Sequence, residues 1–348
     1  MSDQTSLRPS PWRLRLLLGF LFCLCVLPVA VTRSTRPWLL LLTLAALLIV
    51  GIGLFARSLL QNRFRFTVRT FLLSITIIGV FLATTWNTIQ HLTARLAWIV
   101  NVEQAGGRVS LSDDPGMRWL KTPIVGKAFA SVDRVVFPLA SEYVDLIDGV
   151  PDSVQHLYME NTQLGDGHLE AVGKCERLVS IALGRNTTDE GLEQLLGLPR
   201  LERLKTCSTN ISGVGISKLV RLPNLERLAV DANQISAATM QALQSSPKLE
   251  GVNVDATKVN DARLEELSQF ALIDGIHIGQ KVTDAGTIHL RKMPQLSTLT
   301  FSGTTITDAA IENMKGLTNL RYLDTTGTLI SQEGRRKLDE CLPNCKVQ

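Results

Sequence analysis

The side chains best suited to binding chemistry are charged groups at alternate positions of short apolar stretches. Arg203, Lys205 and Arg227 are cationic, and the carboxylates Asp231 and Asp255 follow them along the chain. Groups of this kind attract an oppositely charged partner when they share one surface. Binding hot spots are usually rich in Tyr, Trp and Arg. Mixed charge with few aromatic residues therefore favours a protein or glycan ligand of moderate affinity.

Catalytic chemistry finds little support in the sequence. It has no Walker loop, no G-x-S-x-G motif, no H-E-x-x-H motif and no glycine-rich nucleotide fingerprint. The histidines are scattered, and each is predicted to be a surface or packing residue: His91, His156, His168, His277 and His289. We therefore predict that the chain is not an enzyme and has no catalytic residue, cofactor or metal site.

The cysteines do not predict a disulfide framework or a zinc site either. Cys341 and Cys345 lack the further ligands that a zinc site needs, so a disulfide between them and a pair of buried thiols both remain open. Cys207 is predicted to be exposed, which makes its thiol a candidate for chemical reactivity.

The elements that position these residues repeat along the chain. Repeats start at intervals of 22 to 24 residues, at Val132, Val154, Leu178, Leu201, Leu225, Leu249, Ile273, Leu296 and Leu320. Apolar residues at the first, fourth and sixth positions predict a short strand with one buried face, because strand side chains alternate between two sides. The ninth position is a polar turn residue, such as Thr162 or Asn233.

A short helix is predicted to follow each turn. A Ser, Thr or Asn precedes it as an N-cap, often with Asp next, as in Thr307-Asp308, and a cap of this kind stabilises a helix start by about 1 kcal/mol. The predicted caps are Ser212, Ser236, Asn260, Thr283, Thr307 and Ser331. Stacked strand–turn–helix units of this length predict a solenoid with a concave parallel sheet and helices on the convex side.

Residues at the third, fifth and seventh positions of each repeat are predicted to point out of the concave face. Those with binding chemistry form the predicted partner surface: Tyr158, Glu160, Arg203, Lys205, Arg227, Asp231, Asn253, Asp255, Thr300, Tyr322 and Asp324.

The N-terminal part has a different composition. Residues 1–91 carry nine Arg and one acid, which leaves 27 basic and 31 acidic residues in 92–348. Because the Arg residues flank apolar runs, contact with a lipid bilayer is predicted and nucleic-acid binding is not. Three uncharged runs, 16–32, 38–56 and 71–86, have about the length of membrane-spanning helices. The first run also fits a cleaved signal peptide.

Arg counts in the loops predict the orientation. Most Arg residues fall before the first run and between the second and third, so these segments are placed in the cytoplasm. The chain is then a multi-pass inner-membrane protein with a cytoplasmic N-terminus and an extracytoplasmic repeat domain. The predicted domains are a membrane region, 1–91, a linker with an N-terminal cap, 92–131, and a repeat domain of eight to nine repeats, 132–348.

Several of these motifs are similar to those of a known family. VTDAG at 282–286 and ITDAA at 306–310 resemble bacterial leucine-rich repeats of the ITDAGL type, related to ribonuclease-inhibitor-like repeats, and LPNCKV resembles their last cap. The stretch at 63–83 is similar to a membrane segment common in planctomycete proteins. The resemblance implies an α/β leucine-rich-repeat solenoid behind a membrane anchor, and it implies no activity.

Together these observations predict a membrane-anchored module that binds an unknown protein or glycan on the non-cytoplasmic side. A structural envelope protein with no specific ligand and a cytoplasm-facing interaction scaffold are the alternatives.

Overall fold

The computed structural model describes residues 68–111, 131–137, 146–160, 162–301 and 303–348. The first two predicted spans, 16–32 and 38–56, lie outside these residues. The chain divides into two compact units. One unit comprises Met1–Ile99 and Leu111–Ser131, and the other comprises Val100–Ser110 and Val132–Gln348.

The described chain begins with a long helix, α1, Val68–Gln104. It contains no proline, and its Thr84, Thr85 and Thr88 hydroxyls bond back to carbonyls of the preceding turn, so these polar groups are satisfied inside the helix. The prediction that 71–86 is helical is confirmed. Its prediction as a membrane span is not, because no helix in the described part of the chain combines the length and hydropathy needed to cross a bilayer.

The repeats form one sheet of eleven strands in the described residues, and the strands lie in chain order. Every pairing from the second strand to the last is parallel. The strands are β1 Arg108–Leu111, β2 Val132–Val136, β3 His156–Tyr158, β4 Ser180–Ala182, β5 Arg203–Lys205, β6 Arg227–Asp231, β7 Gly251–Ala256, β8 Ile273–Ile278, β9 Thr298–Thr300, β10 Tyr322–Asp324 and β11 Lys346–Val347. Nine of them fall in the predicted repeats, and β1 and β11 add an edge strand at each end.

The core follows the predicted pattern. The first residues of the repeats are fully buried, from Val132 and Val154 to Leu320, except that Leu249 is only half-buried. The fourth and sixth positions are buried in every repeat, and the phenylalanines Phe137 and Phe301 are the largest of these side chains. Burial of such a side chain contributes about 1.5–3 kcal/mol, so stacking supplies the apolar contacts that a single repeat lacks.

Short helices return the chain from each strand to the next. The α-helices are α2 Asp166–Val172, α3 Asp189–Glu193, α4 Gly213–Ser217, α5 Ala237–Leu243, α6 Asp261–Leu267, α7 Ile311–Met314 and α8 Gln332–Cys341. Short 3₁₀ helices lie at Lys218–Arg221, Ala232–Gln234, Gly286–Lys292 and Asp308–Ala310. The architecture is therefore the predicted α/β leucine-rich-repeat solenoid.

The predicted helix caps are confirmed with one exception. The side chains of Ser212, Ser236, Asn260, Thr307 and Ser331 each accept a backbone N–H of the helix that follows. Thr283 is the exception, because its helix begins later, at Gly286, and has no side-chain cap. The polar turn position also differs in one repeat, where Asn233 is exposed and the neighbouring Gln234 is buried instead.

Aspartates at the helix starts link each repeat to the next. Each of these carboxylates accepts the N–H of the Thr or Ser at the predicted cap position of the following repeat at 2.8 Å and its hydroxyl at 2.6–2.7 Å. The linked pairs are Asp166 with Thr188, Asp189 with Ser212, Asp261 with Thr283, Asp284 with Thr307, and Asp308 with Ser331. We call these five carboxylates the inter-repeat aspartates. The sequence predicted only a helix-capping role for them.

A glycine three residues after the bonded Thr or Ser makes room for this contact. A Cβ atom at Gly191, Gly215, Gly286 or Gly334 would lie only 2.1–2.2 Å from the Oδ1 atom of an inter-repeat aspartate. Ala310 stands at the equivalent position, three residues after Thr307, so a methyl group is the largest side chain at this position in the repeats that follow an inter-repeat aspartate. The Asp of one repeat and the Gly of the next therefore occupy complementary space, and we call this arrangement the interlock.

Two consecutive repeats lack the inter-repeat aspartate, and other hydrogen bonds link them to the next repeat. In the first, Gly213 occupies the aspartate position, and Thr239 replaces the glycine of the following repeat; the Thr239 hydroxyl donates to the Gly213 carbonyl at 3.4 Å. In the second, Ala237 occupies the aspartate position, and Arg263 replaces the glycine of the following repeat. The Arg263 guanidinium donates to the Ala232 carbonyl at 2.7 Å and to the Ile235 carbonyl.

The interlock predicts a coupled pair of substitutions. Gly286→Thr should lower the free energy of unfolding by about 1–3 kcal/mol, because the new side chain collides with the Asp261 carboxylate. The loss should shrink in an Asp261→Gly background, which reproduces the natural pair Gly213 and Thr239. Urea unfolding followed by circular dichroism measures all four variants as a double-mutant cycle.

Gly197→Thr serves as the matched control, since a Cβ at Gly197 meets no atom within 4 Å. Equal losses from Gly286→Thr with and without Asp261 would contradict the interlock.

Candidate functional site

A depression with a volume of about 290 Å³ lies on the outward side of the sheet. Small residues form its floor at positions where other repeats carry larger side chains: Ser180, Ala182, Ala229, Gly251 and Gly275. Its rim includes Tyr158, Glu160, Arg203, Lys205, Arg227, Asn253, Asp274, Ser297 and Thr298. The recess therefore follows from small residues in four strands of the sheet, β4 on one side of β5 and β6, β7 and β8 on the other.

A register shift brings Asp274 to this depression. Val252 pairs with Ile273 and Asn253 pairs with Gly275, so Asp274 is left without a partner in the ladder. Bulges of this kind re-aim a side chain. A Cβ on Gly251 would lie 2.3 Å from the Asp274 carboxyl carbon, so glycine at 251 gives the carboxylate its space.

Two of the three cations are already paired. The Arg227 guanidinium binds Asp274 and, at 3.2 Å, Glu250. Lys205 Nζ binds the Glu160 carboxylate at 2.9 Å. Burial by itself would lower the pKa of Lys205, but its hydrogen bond to Glu160 and the Glu160 charge raise that pKa overall, so the ammonium stays protonated.

The third cation, Arg203, differs from the other two. Its side chain is exposed on the rim, and within the described residues its guanidinium has no hydrogen-bond or ion-pair partner. Its strand neighbours in the sheet are Ser180 on one side and Arg227 on the other. On the rim beyond them, Tyr158 stacks against Arg134, whose guanidinium carbon lies 5.9 Å from the ring centre.

The predicted acidic residues form a separate cluster beside the depression. One donor atom from each of Cys207, Asp231 and Asp255 lies within 4.8 Å of the other two. Burial and the Asp255 charge raise the pKa of Asp231, although the Ser208 N–H opposes the shift by donating to its carboxylate at 2.8 Å. Asp255 accepts the Thr257 N–H at 3.0 Å and the Thr257 hydroxyl at 2.6 Å.

Cys207 is not the exposed, reactive thiol that the sequence suggested. It is half-buried, and burial together with the Asp231 charge raises the pKa of its thiol to about 12. A thiol of this pKa is almost wholly protonated at neutral pH, so it is a poor nucleophile. Cys341 and Cys345 are free thiols as well.

Six predicted partner residues, Tyr158, Glu160, Arg203, Lys205, Arg227 and Asn253, line the depression. Thr300, Tyr322 and Asp324 do not. They lie on β9 and β10, where Tyr322 donates to Gln348 at 3.0 Å and Asp324 accepts the Thr326 N–H at 2.8 Å.

Sequence reasoning missed the floor and Asp274. Small residues carry no binding chemistry of their own, so Ser180, Ala182 and Ala229 gave no signal. Asp274 stands at the second position of its repeat, which the strand pattern does not turn toward this face. The two glycines at third positions, Gly251 and Gly275, were the available signal.

Comparison with protein-family models finds no match for this chain, and none of the curated proteins matches it. Among solved structures, it is similar to an internalin (inlF) from Listeria monocytogenes, with 14% identity and a TM-score of 0.32. That likeness covers 59% of this chain and 63% of the internalin, so the chain spans less than two thirds of its length. Internalin C2 (inlC2) from the same organism is 17% identical, with a TM-score of 0.30, over 61% of this chain and 93% of that one.

The raised pKa of Cys207 predicts slow alkylation. At pH 8, iodoacetamide should label Cys207 more than about a hundredfold more slowly than an ordinary thiol of pKa about 8.5, because so little thiolate is present. Mass spectrometry of the Cys207 peptide over time gives the rate in the folded protein. The same peptide in urea is the control and should react at the ordinary rate. Equal rates in both states would contradict a buried, protonated thiol.

Proposed function

We propose that this protein is an interaction module whose strand-side depression receives a segment of a partner protein. The observation that carries the proposal is the depression itself. A solenoid needs only its inward positions for folding, so a recess on the outward side is not a by-product of core packing. Its volume of about 290 Å³ is at the lower end of ligand sites, which suits one or two side chains of a larger partner.

The lining favours a protein over a glycan. Tyr158 supplies the one aromatic ring of the lining, and its face is stacked with Arg134. The remaining contacts are charged groups, amides and hydroxyls around a floor of small residues, which match the polar and small apolar surface of a polypeptide. No feature of the described residues points to catalysis, so binding is the activity that we propose.

We further propose that the N-terminal region anchors this module in a membrane, with the repeats on the extracytoplasmic side. The support is the sequence alone: uncharged runs at 16–32 and 38–56, each flanked by Arg. A structural envelope protein and a cytoplasmic scaffold remain the alternatives to be separated by experiment.

Blocking the depression tests the proposed binding site. A photoreactive amino acid at Asn253, an exposed position on the rim, should give a discrete crosslinked adduct in the source cells. Adding Ala229→Trp should abolish that adduct, since indole fills a large part of the recess. Adduct formation is read on gels and identified by mass spectrometry.

Ala309→Trp is the matched control, because Ala309 is exposed at the start of a helix and outside the lining. It should leave the adduct unchanged. An adduct that survives Ala229→Trp would refute the site, and the absence of any adduct would favour a purely structural role.

Protease accessibility tests the proposed orientation. Proteinase K added to spheroplasts, whose cytoplasmic membrane is intact, should degrade the repeat domain because we place it outside the cytoplasm. A cytoplasmic protein monitored in the same sample reports membrane integrity. Degradation only after lysis would place the repeats in the cytoplasm.

A further inference from the structure

We infer that the depression recognises a single carboxylate of its partner and that the Arg203 guanidinium binds it. This inference rests on the proposed binding function and specifies its chemistry. The carboxylate belongs either to an Asp or Glu side chain or to the C-terminus of the partner chain, since both present the same pair of oxygens.

The first argument is the charge balance of the lining. Its ionisable residues are three cations, Arg203, Lys205 and Arg227, and two carboxylates, Glu160 and Asp274. Lys205 is matched by Glu160 at 2.9 Å, and Arg227 is matched by Asp274 and, at 3.2 Å, by Glu250 from outside the lining. Among the lining residues, the Arg203 guanidinium is the positive charge left without an ion-pair partner, and one incoming carboxylate can pair with it.

The second argument is that the remaining charge is located on one side chain. Arg203 is exposed on the rim and has no hydrogen-bond or ion-pair partner among the described residues. Its neighbour Ser180 is nearly buried and too short to occupy the guanidinium. A guanidinium presents parallel N–H groups that bind the two oxygens of a carboxylate together, so Arg suits this ligand better than a point charge does.

The third argument separates a carboxylate from a phosphate. The Glu160 and Asp274 carboxylates face the same recess as Arg203. A ligand with two negative charges would exceed the single unmatched positive charge and meet repulsion from both acids. A monoanion fits the balance, and the small floor residues leave space for the short apolar stem of an Asp or Glu side chain.

Peptide binding tests the inference. A phage-displayed random peptide library is selected on the full-length protein, and the recovered peptides are filtered for loss of binding to the Ala229→Trp variant. We expect the retained peptides to share an Asp, a Glu or a free C-terminus. Synthetic versions with Asp→Asn, Glu→Gln or an amidated terminus then show which source supplies the carboxylate. Each effective neutralisation should weaken binding about tenfold to a hundredfold in calorimetry.

Arg203→Gln should cause the same loss for the acidic peptide and no further loss for its neutral version. Arg203→Lys should recover part of the affinity, since it keeps the charge and loses the planar pair of donors. Because Arg203 has no hydrogen-bond or ion-pair partner among the described residues, its replacement should leave the melting temperature unchanged. Arg200→Gln is the matched control, at an exposed arginine outside the lining, and should leave affinity unchanged.

The outcomes distinguish the two proposals. If the Asn253 adduct persists in Arg203→Gln cells and the retained peptides carry no required carboxylate, the carboxylate inference is wrong while the binding site stands. If Ala229→Trp changes neither the adduct nor the binding of any peptide, the proposed function itself fails. Loss of acidic-peptide binding in Arg203→Gln, with a normal melting temperature and an unaffected Arg200→Gln control, supports the inference.

Discussion

The hydrogen bonds between an inter-repeat aspartate and the cap residue of the next repeat set the geometry of most of the solenoid. Apolar burial brings repeats together without direction. The aspartate adds direction, because its two oxygens accept a backbone N–H and a hydroxyl of one residue in the neighbouring repeat, as Asp284 does with Thr307. A charged acceptor makes these bonds stronger than neutral ones. The same contact orients the following helix, since the bonded Thr or Ser is usually its cap.

The middle of the array is built differently, and the depression lies there. The repeats carrying Gly213 and Ala237 have no inter-repeat aspartate. A buried amide helps to link them: Gln234 donates to the Ile211 carbonyl at 2.9 Å and accepts the Thr206 hydroxyl at 3.2 Å. The strands that follow, β6 to β8, are five or six residues long, whereas β9 and β10 have three. The longer strands extend the outward face of the sheet, and Gly251 and Gly275, which have no side chains, form part of the depression in it.

The sequence predicted the parts of the molecule that repeat. Strand positions, the buried first, fourth and sixth residues and five of six helix caps follow from patterns that recur every 22 to 24 residues. Departures from the pattern were not predictable in the same way. The register shift that brings Asp274 to the depression depends on backbone pairing between β7 and β8, and the pairing of Lys205 with Glu160 joins side chains 45 residues apart. Both depend on which segments the fold brings together in space, and they leave no periodic trace in the sequence.

Inward-facing and outward-facing residues of the repeats have different tasks, and this difference bears on the proposed binding surface. Inward residues determine stability, so outward residues can change without unfolding the chain. Most outward charged side chains near the depression form ion pairs. Exposed ion pairs contribute about 0–1 kcal/mol each, so neither Lys205–Glu160 nor Arg227–Glu250 is needed to hold the sheet together. In the proposed site, these ion pairs neutralise two of the three cations and leave the charge of Arg203 available to a ligand. Under this proposal, specificity for one anionic group comes from the carboxylates as much as from Arg203, because acids on the rim repel ligands of higher charge.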